Sequence, residues 1–281
     1  MKEISIEGCP VIGTGAFGKV YRLNDEIVVK VYNDPENLPL METEQEMSKR
    51  AFVKGIPTAI PFGIARVGAA YGSVFELLDA RNCNDFLIAH PEKEDSIIAE
   101  YAGIVRKIHT IKSEPGEFPD TRKVYLGYLA CMKSIIPGEL YADLADFVSA
   151  VPESQYLTHG DIQMKNIMLS GGEMFLIDMN TMSAGDPVFE FSGLYRTYIA
   201  FNVYDPDNSK NFLGISRDLA SRIYFKTAEL CGVEPERRDI LLLGWLRYLQ
   251  VVTVELSRPD GFMVKPVLET LRRLLDGEDI H

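Results

Sequence analysis

The sequence predicts an α+β chain in two lobes, a small β-rich one followed by a larger helical one. Three observations predict it. Up to about residue 80 the apolar residues come in short β-branched and aromatic runs, broken by glycine and Asx turns. Beyond that point they recur at helical spacing over long stretches. One β-like patch, from Tyr156 to Ile177 around a Gly171-Gly172 turn, interrupts the helical part.

Each element follows in order. Ile4 and Ile6 alternate with polar residues as a strand does, and Val20–Tyr32 reads as a hairpin turning at Asn24-Asp25. A helix is expected over Leu40–Val53, with Leu40, Met47 and Ala51 on one face and Gly55 and Pro57 as its stop. Phe62–Val67 and Tyr71–Leu78 read as strands joined by Gly68-Ala69-Ala70. Phe75–Ala80 then connects the lobes, giving residues 1–79 and 80–281. In the second lobe Asp95 is the expected N-cap of a helix carrying Ile97, Ile98, Tyr101, Ile104, Val105 and Ile108 at helical spacing. Val124–Ile135, Leu140–Val148, Phe189–Asn202, Ser216–Cys231, Asp239–Glu255 and Val264–Leu275 read the same way. The β-like patch holds Tyr156-Leu157, Ile167–Leu169 and Met174–Ile177.

Composition narrows the function classes. The 281 residues are 46% hydrophobic and 25% charged, which excludes a disordered chain, a collagen-like fibre and a disulfide miniprotein. A balance of 29 Lys and Arg against 41 Asp and Glu, net −12, has the wrong sign for a nucleic-acid footprint. It serves solubility and suits a cationic small molecule better than an anion. Cys9, Cys83, Cys131 and Cys231 form no C-x-x-C, so four reduced, mostly buried thiols are expected. The first residues carry no apolar run of signal-peptide length. Ile240–Val254, broken by Arg247 and Gln250, is too short to span a bilayer. A cytoplasmic protein without membrane or nucleic-acid partners is the expectation.

Three constellations carry chemistry. Gly13-Thr14-Gly15-Ala16-Phe17-Gly18-Lys19-Val20 is a G-x-G-x-x-G-x-V. Val20-Tyr21 leads into a turn and not a helix, so the glycines suit a flap between antiparallel strands, as over ATP phosphates in kinases, or a plain hairpin turn. Lys30 stands inside Val28-Val29-Lys30-Val31, where a buried ammonium needs an anion. Glu46, sixteen positions on and near Arg50 and Met47, is the expected partner, with Glu42 and Glu44 as competitors. The third is His159-Gly160-Asp161-x4-Asn166, followed after the Gly-Gly turn by Leu176-Ile177-Asp178. Phosphoryl transfer needs an acid at the acceptor hydroxyl, a role for Asp161. It also needs oxygen ligands for Mg²⁺, a role for Asn166 and Asp178.

With these motifs the sequence resembles the aminoglycoside phosphotransferase and choline kinase-like family of small-molecule kinases, within the bilobal protein kinase-like fold. Gly185-Asp186-Pro187-Val188-Phe189-Glu190 is similar to that family's G-D-P-x-x-D segment. The resemblance implies that Gly13, Gly15 and Gly18 flap over ATP, that Lys30 contacts phosphates and that Glu46 anchors it. It makes Asp161 the base and Asn166 and Asp178 the Mg²⁺ ligands. Phe75–Leu78 becomes the hinge, with the backbone of Glu76 and Leu78 holding adenine. It implies ATP or GTP and Mg²⁺ as cofactors, and a hydroxyl-bearing, aminoglycoside-, choline- or sugar-like acceptor.

Asp178-Met179-Asn180 replaces D-F-G, and the short run to Gly185 leaves no room for a long activation segment, against a regulated protein kinase. An atypical protein Ser/Thr kinase and a nucleotide-binding pseudokinase stay open. Glu190, in place of the family's Asp, is expected to start a helix. Lys165 reads as a surface lysine or a phosphate contact, His109 as a cation at a helix C-terminus, and His159 as a loop-holding residue. Tyr195, Tyr198, Phe201, Tyr204, Trp245 and Tyr248 read as core or as an acceptor-facing aromatic set.

Overall fold

The computed structural model describes residues 2–14, 18–257 and 263–279. The chain divides into two compact units. The first is Met1–Cys83 with Lys165–Met182, and the second is Asn84–Met164 with Ser183–His281. The hairpin that follows the H-G-D-x4-N segment falls in the first unit with the N-terminal strands.

The first unit is built on a six-stranded sheet of β1 (Lys2–Glu3), β2 (Val11–Thr14), β3 (Gly18–Arg22), β4 (Ile27–Tyr32), β5 (Pro61–Val67) and β6 (Ala70–Glu76). The order is β1-β5-β6-β4-β3-β2, antiparallel except where β1 runs parallel to β5. β4 sits inside, with Lys30 opposite Val20 on one side and Ser73 on the other. Period-two alternation sends Ile27, Val29 and Val31 into an apolar cluster with Ala65, Val67 and Val74. Val28, Lys30 and Tyr32 take the opposite face.

Helix α1 (Leu38–Val53) buries Met41, Glu44, Met47, Ser48 and Ala51, a stripe at helical spacing. It ends as the Ile56 N–H reaches back to Ala51 and the Gly55 N–H to Phe52, both at 3.0 Å, satisfying carbonyls of the last turn. A three-stranded sheet pairs Arg81–Asn82 with Ile167–Ser170, and that strand with Glu173–Leu176. The turn between the last two is Gly171-Gly172 at φ 58° and 87°, and a two-residue turn with both φ positive matches the strand twist. Thr58 and Pro57 pin this hairpin through Leu176 at 2.8 Å each.

After α2 (Cys83–Ala89), the second unit is helical: α3 (Glu94–Ile108), α4 (Thr121–Cys131), α5 (Gly138–Ala150), α6 (Val188–Tyr195), α7 (Phe201–Tyr204), α8 (Arg217–Leu230), α9 (Arg238–Gln250) and α10 (Val264–Leu275). α9 is buried almost all round, as its near-continuous apolar run requires. Leu157–Thr158 and Ser183–Ala184 form a two-stranded antiparallel ladder. Asp95 does not cap α3; Lys93 holds the cap position, and Asp95 lies in the first turn paired with Lys226. The helices expected over 189–202 and 239–255 each pass into a π-helical turn, at Arg196–Ala200 and Val251–Glu255. Only Cys83 of the four cysteines is buried, and Cys131 is exposed, unlike the expectation of mostly buried thiols. No helix among the described residues is long and apolar enough to cross a membrane.

Candidate active site

The first unit gathers one set of charges. Lys30 Nζ donates to Glu44 Oε1 at 2.7 Å and to Asp178 Oδ1 at 2.5 Å. The Tyr32 hydroxyl donates to the other Glu44 oxygen. Burial works against the lysine's charge, but Glu44 and Asp178 outweigh it and raise the Lys30 pKa well above the ordinary range. Burial, reinforced by Glu44, pushes the Tyr32 hydroxyl up too, so it remains a donor.

Glu46, the expected partner of Lys30, is on the wrong side of α1. It accepts from Arg50 at 2.8 Å, one turn away on the exposed face. Glu44 lies three residues before Met47 and seven before Ala51, so it shares their buried stripe. Extending that stripe backwards from Met47 was the signal in the sequence.

Pairing of Ile167 with Leu176 places Asn166 and Ile177 at the open end of the hairpin, where the Ile177 N–H donates to the Asn166 carbonyl at 3.0 Å. Asp178 follows at φ 59° and ψ 55°, a left-handed conformation that a non-glycine residue adopts at some cost. Here the carboxylate is held by Lys30. Asn166 and Asp178 offer an amide oxygen and a carboxylate, hard donors of the kind Mg²⁺ takes beside waters and phosphate oxygens. No cluster of three or more His, Cys, Asp or Glu able to hold a metal occurs among the described residues. The donor set fits a cation whose shell a phosphate completes.

The glycines differ from one another. A Cβ on Gly18 would stand 2.2 Å from the Val31 carbonyl oxygen, so this glycine is required by the close approach of β3 and β4. A Cβ on Gly13 would meet only Val20, at 3.6 Å. Gly15 lies outside the described residues. At the expected hinge the Glu76 N–H is committed to the Ile60 carbonyl at 2.9 Å and the Leu77 N–H to Glu26 at 2.7 Å.

The second unit suspends the His159–Met164 loop from four directions. Glu190 on α6 accepts the His159 N–H at 2.5 Å and the Gly160 N–H at 3.0 Å, one on each carboxylate oxygen. It is a loop anchor, beyond the helix-start role expected of it. Tyr101 on α3 donates to the Ile162 carbonyl at 2.8 Å, and the Tyr198 hydroxyl accepts the Met164 N–H at 2.8 Å. The buried His159 ring accepts the Asp161 N–H at Nδ1, 3.3 Å, which supports the expected loop-holding part. Asp161 itself lies between Arg196, 3.0 Å from Oδ1, and Gln163, 3.0 Å from Oδ2.

Lys165 is exposed, and its carbonyl accepts from the Asn82 amide. His109 caps α3 at its C-terminus, its Nε2 3.7 Å from Glu190, beyond hydrogen-bond reach. The aromatic set packs mainly against itself. Trp245 lies 5.3 Å from Tyr248, 5.8 Å from Tyr204 and 6.2 Å from Tyr195, ring to ring, and Tyr195, Tyr198, Trp245 and Tyr248 are buried. This is the core reading of those residues. Tyr32, Gln163 and Arg196 are site residues that no motif marks. Tyr32 is legible by strand alternation from Lys30; Arg196 is marked only as one of two charges, with Glu190, in 188–200.

A sequence profile of the phosphotransferase enzyme family matches residues 9–214. The chain belongs to that family. No protein with a curated description matches the sequence. The fold of this phosphotransferase is similar to an ADP-bound aminoglycoside phosphotransferase, APH(2'')-Ib, at TM-score 0.65 and 15% identity over 95% of this chain and 94% of the other. It is also similar to a fructosamine-3-kinase-like protein of Haemophilus somnus, at TM-score 0.64 and 14% identity over 95% and 90%. A choline/ethanolamine kinase family protein of Mesorhizobium loti aligns at TM-score 0.56 and 14% identity over 95% and 88%. The α+β architecture is thus the protein kinase-like fold.

Proposed function

We propose that this phosphotransferase moves the γ-phosphate of a nucleoside triphosphate to a hydroxyl of a small molecule. The observation that carries the reading is the Lys30–Glu44–Asp178 cluster, a part-buried ammonium aimed by one carboxylate and touching a second. Lys30 holds the α- and β-phosphates, and the glycine flap, with Gly13 and Gly15, covers them. Adenine takes the Glu76 carbonyl and the Leu78 N–H, since the N–H groups of Glu76 and Leu77 are engaged. Asn166 and Asp178 hold Mg²⁺, which supplies charge neutralisation on the phosphates. Asp161 orients the acceptor hydroxyl and takes its proton as the oxygen attacks the γ-phosphorus. The bond to the β–γ bridging oxygen breaks, and the nucleoside diphosphate leaves. ADP, ATP and GDP complexes are all known among the similar structures, and both triphosphates belong in the assay.

The helical unit carries 19 basic against 28 acidic residues, which favours an amine-bearing acceptor over an anionic one. The similar structures include complexes with streptomycin, gentamicin and kanamycin. The test is ADP or GDP release with Mg²⁺ over a panel of kanamycin, gentamicin, choline, ethanolamine and a fructosamine. At least one acceptor raises the rate above that with water, and Asp161→Asn lowers it at least about a hundredfold, the scale of a general base. Undiminished turnover in Asp161→Asn removes Asp161 from the role of base.

A further inference from the structure

We propose that Arg196 is a positioning residue for the base, clamping the Asp161 carboxylate so that it presents a fixed lone pair to the acceptor hydroxyl. The inference rests on the reading of Asp161 given above. All the groups involved lie in the helical unit.

The arginine is buried, 6% exposed, in the π-helical turn Arg196–Ala200 between α6 and α7. Such turns are frequent at functional sites, and this one also carries Tyr198 to the His159–Met164 loop. One of its terminal nitrogens bridges two acceptors, Asp161 Oδ1 at 3.0 Å and Thr197 Oγ1 at 2.9 Å. On the far side the Gln163 amide donates to Asp161 Oδ2 at 3.0 Å. Two donors, one per oxygen, fix the rotation of the carboxylate about its own axis. Backbone donors alone cannot do this, since they pin the loop and leave the side chain to turn.

Stability does not account for the arrangement. Arg196 is buried while the Asp161 side chain is 29% exposed, and desolvating a guanidinium costs much of what such a pair returns, so apolar residues often replace one without loss. Arg196 Nε is buried and has no hydrogen-bond partner among the described residues, which burdens the fold further. What the guanidinium supplies, and an apolar side chain cannot, is a directional charged donor on the reacting carboxylate. Arg196 acts through Asp161 and is not itself assigned a contact with substrate.

The test is a kinetic double-mutant cycle on the full chain, read as ADP release from Mg·ATP with water as acceptor and with kanamycin. Arg196→Met lowers kcat about thirtyfold, the fold-change of one charge-assisted hydrogen bond, and leaves KM for Mg·ATP within about twofold. Arg196→Lys, which keeps the charge without the fork, recovers part of that loss. In the Asp161→Asn background Arg196→Met costs less than about threefold, because the group it positions is already disabled. Thermal unfolding of each variant checks that it is folded; should Arg196→Met not fold, Arg196→Lys alone carries the cycle, with a loss of about threefold or more that vanishes in Asp161→Asn. Wild-type kcat in the arginine variants, or the same loss with and without Asp161, overturns the proposal. Full turnover in Asp161→Asn overturns the functional reading instead, and the positioning role with it.

Discussion

Lys30 is a cation that the strand carries into a buried setting, and its environment decides what it can do. A lone ammonium there would be neutralised; with Glu44 at 2.7 Å and Asp178 at 2.5 Å it keeps its charge. Glu44 is in turn aimed by the Tyr32 hydroxyl. Glu44→Gln leaves the part-buried Lys30 with Asp178 as its one carboxylate partner and removes a charge-assisted hydrogen bond, so it should lower stability by about 2 kcal/mol and turnover at least tenfold. Glu46→Gln breaks only an exposed pair with Arg50 and should change stability by less than about 0.5 kcal/mol. Tyr32→Phe should fall between, raising KM for the nucleotide. Urea unfolding and steady-state kinetics on the three variants check the order, and equal effects of Glu44→Gln and Glu46→Gln would contradict it. Lys30 was legible as a charge among valines. Its partner was not, because three glutamates fall within five residues and only packing tells which one is inside.

At the scale of elements, one glycine motif serves two purposes. Gly18 belongs to the sheet, where its Cβ would overlap the Val31 carbonyl; Gly13 has room for one. Gly18→Ala should therefore destabilise the fold by about 2 kcal/mol through backbone displacement. Gly13→Ala should leave stability almost unchanged, so any effect reads on the nucleotide. Chemical denaturation beside a nucleotide-binding isotherm separates them; a Gly18→Ala protein of wild-type stability would show that β3 can shift freely. The Gly171-Gly172 turn was visible from the sequence because two consecutive positive φ angles demand that pair. The π-helical turns were not visible. An extra residue inserted into a helix leaves the apolar pattern nearly intact, and it is this insertion in α6–α7 that carries Arg196 and Tyr198 to the His159–Met164 loop.

For the whole molecule, the membership of a phosphotransferase family sets the expected response to ligand. A non-hydrolysable ATP analogue with Mg²⁺, at about 100 times Kd, should raise the unfolding midpoint by about 5 °C. Asp178→Asn should erase the part of that shift that depends on Mg²⁺ while leaving the metal-free part. A shift in Asp178→Asn that still responds fully to Mg²⁺ would place the metal elsewhere. The sequence by itself determined the α+β class, the order of strands and helices, and the chemistry-bearing motifs. These depend on periodicity and on side-chain types that few other arrangements need together. Only the tertiary structure decided that Glu44 partners Lys30, that the Asn166–Asp178 hairpin joins the β-rich unit, and that Glu190 and Arg196 hold the loop of Asp161. Those choices depend on contacts between residues 14 to 148 positions apart, which strand register and helix packing bring together and no local pattern encodes.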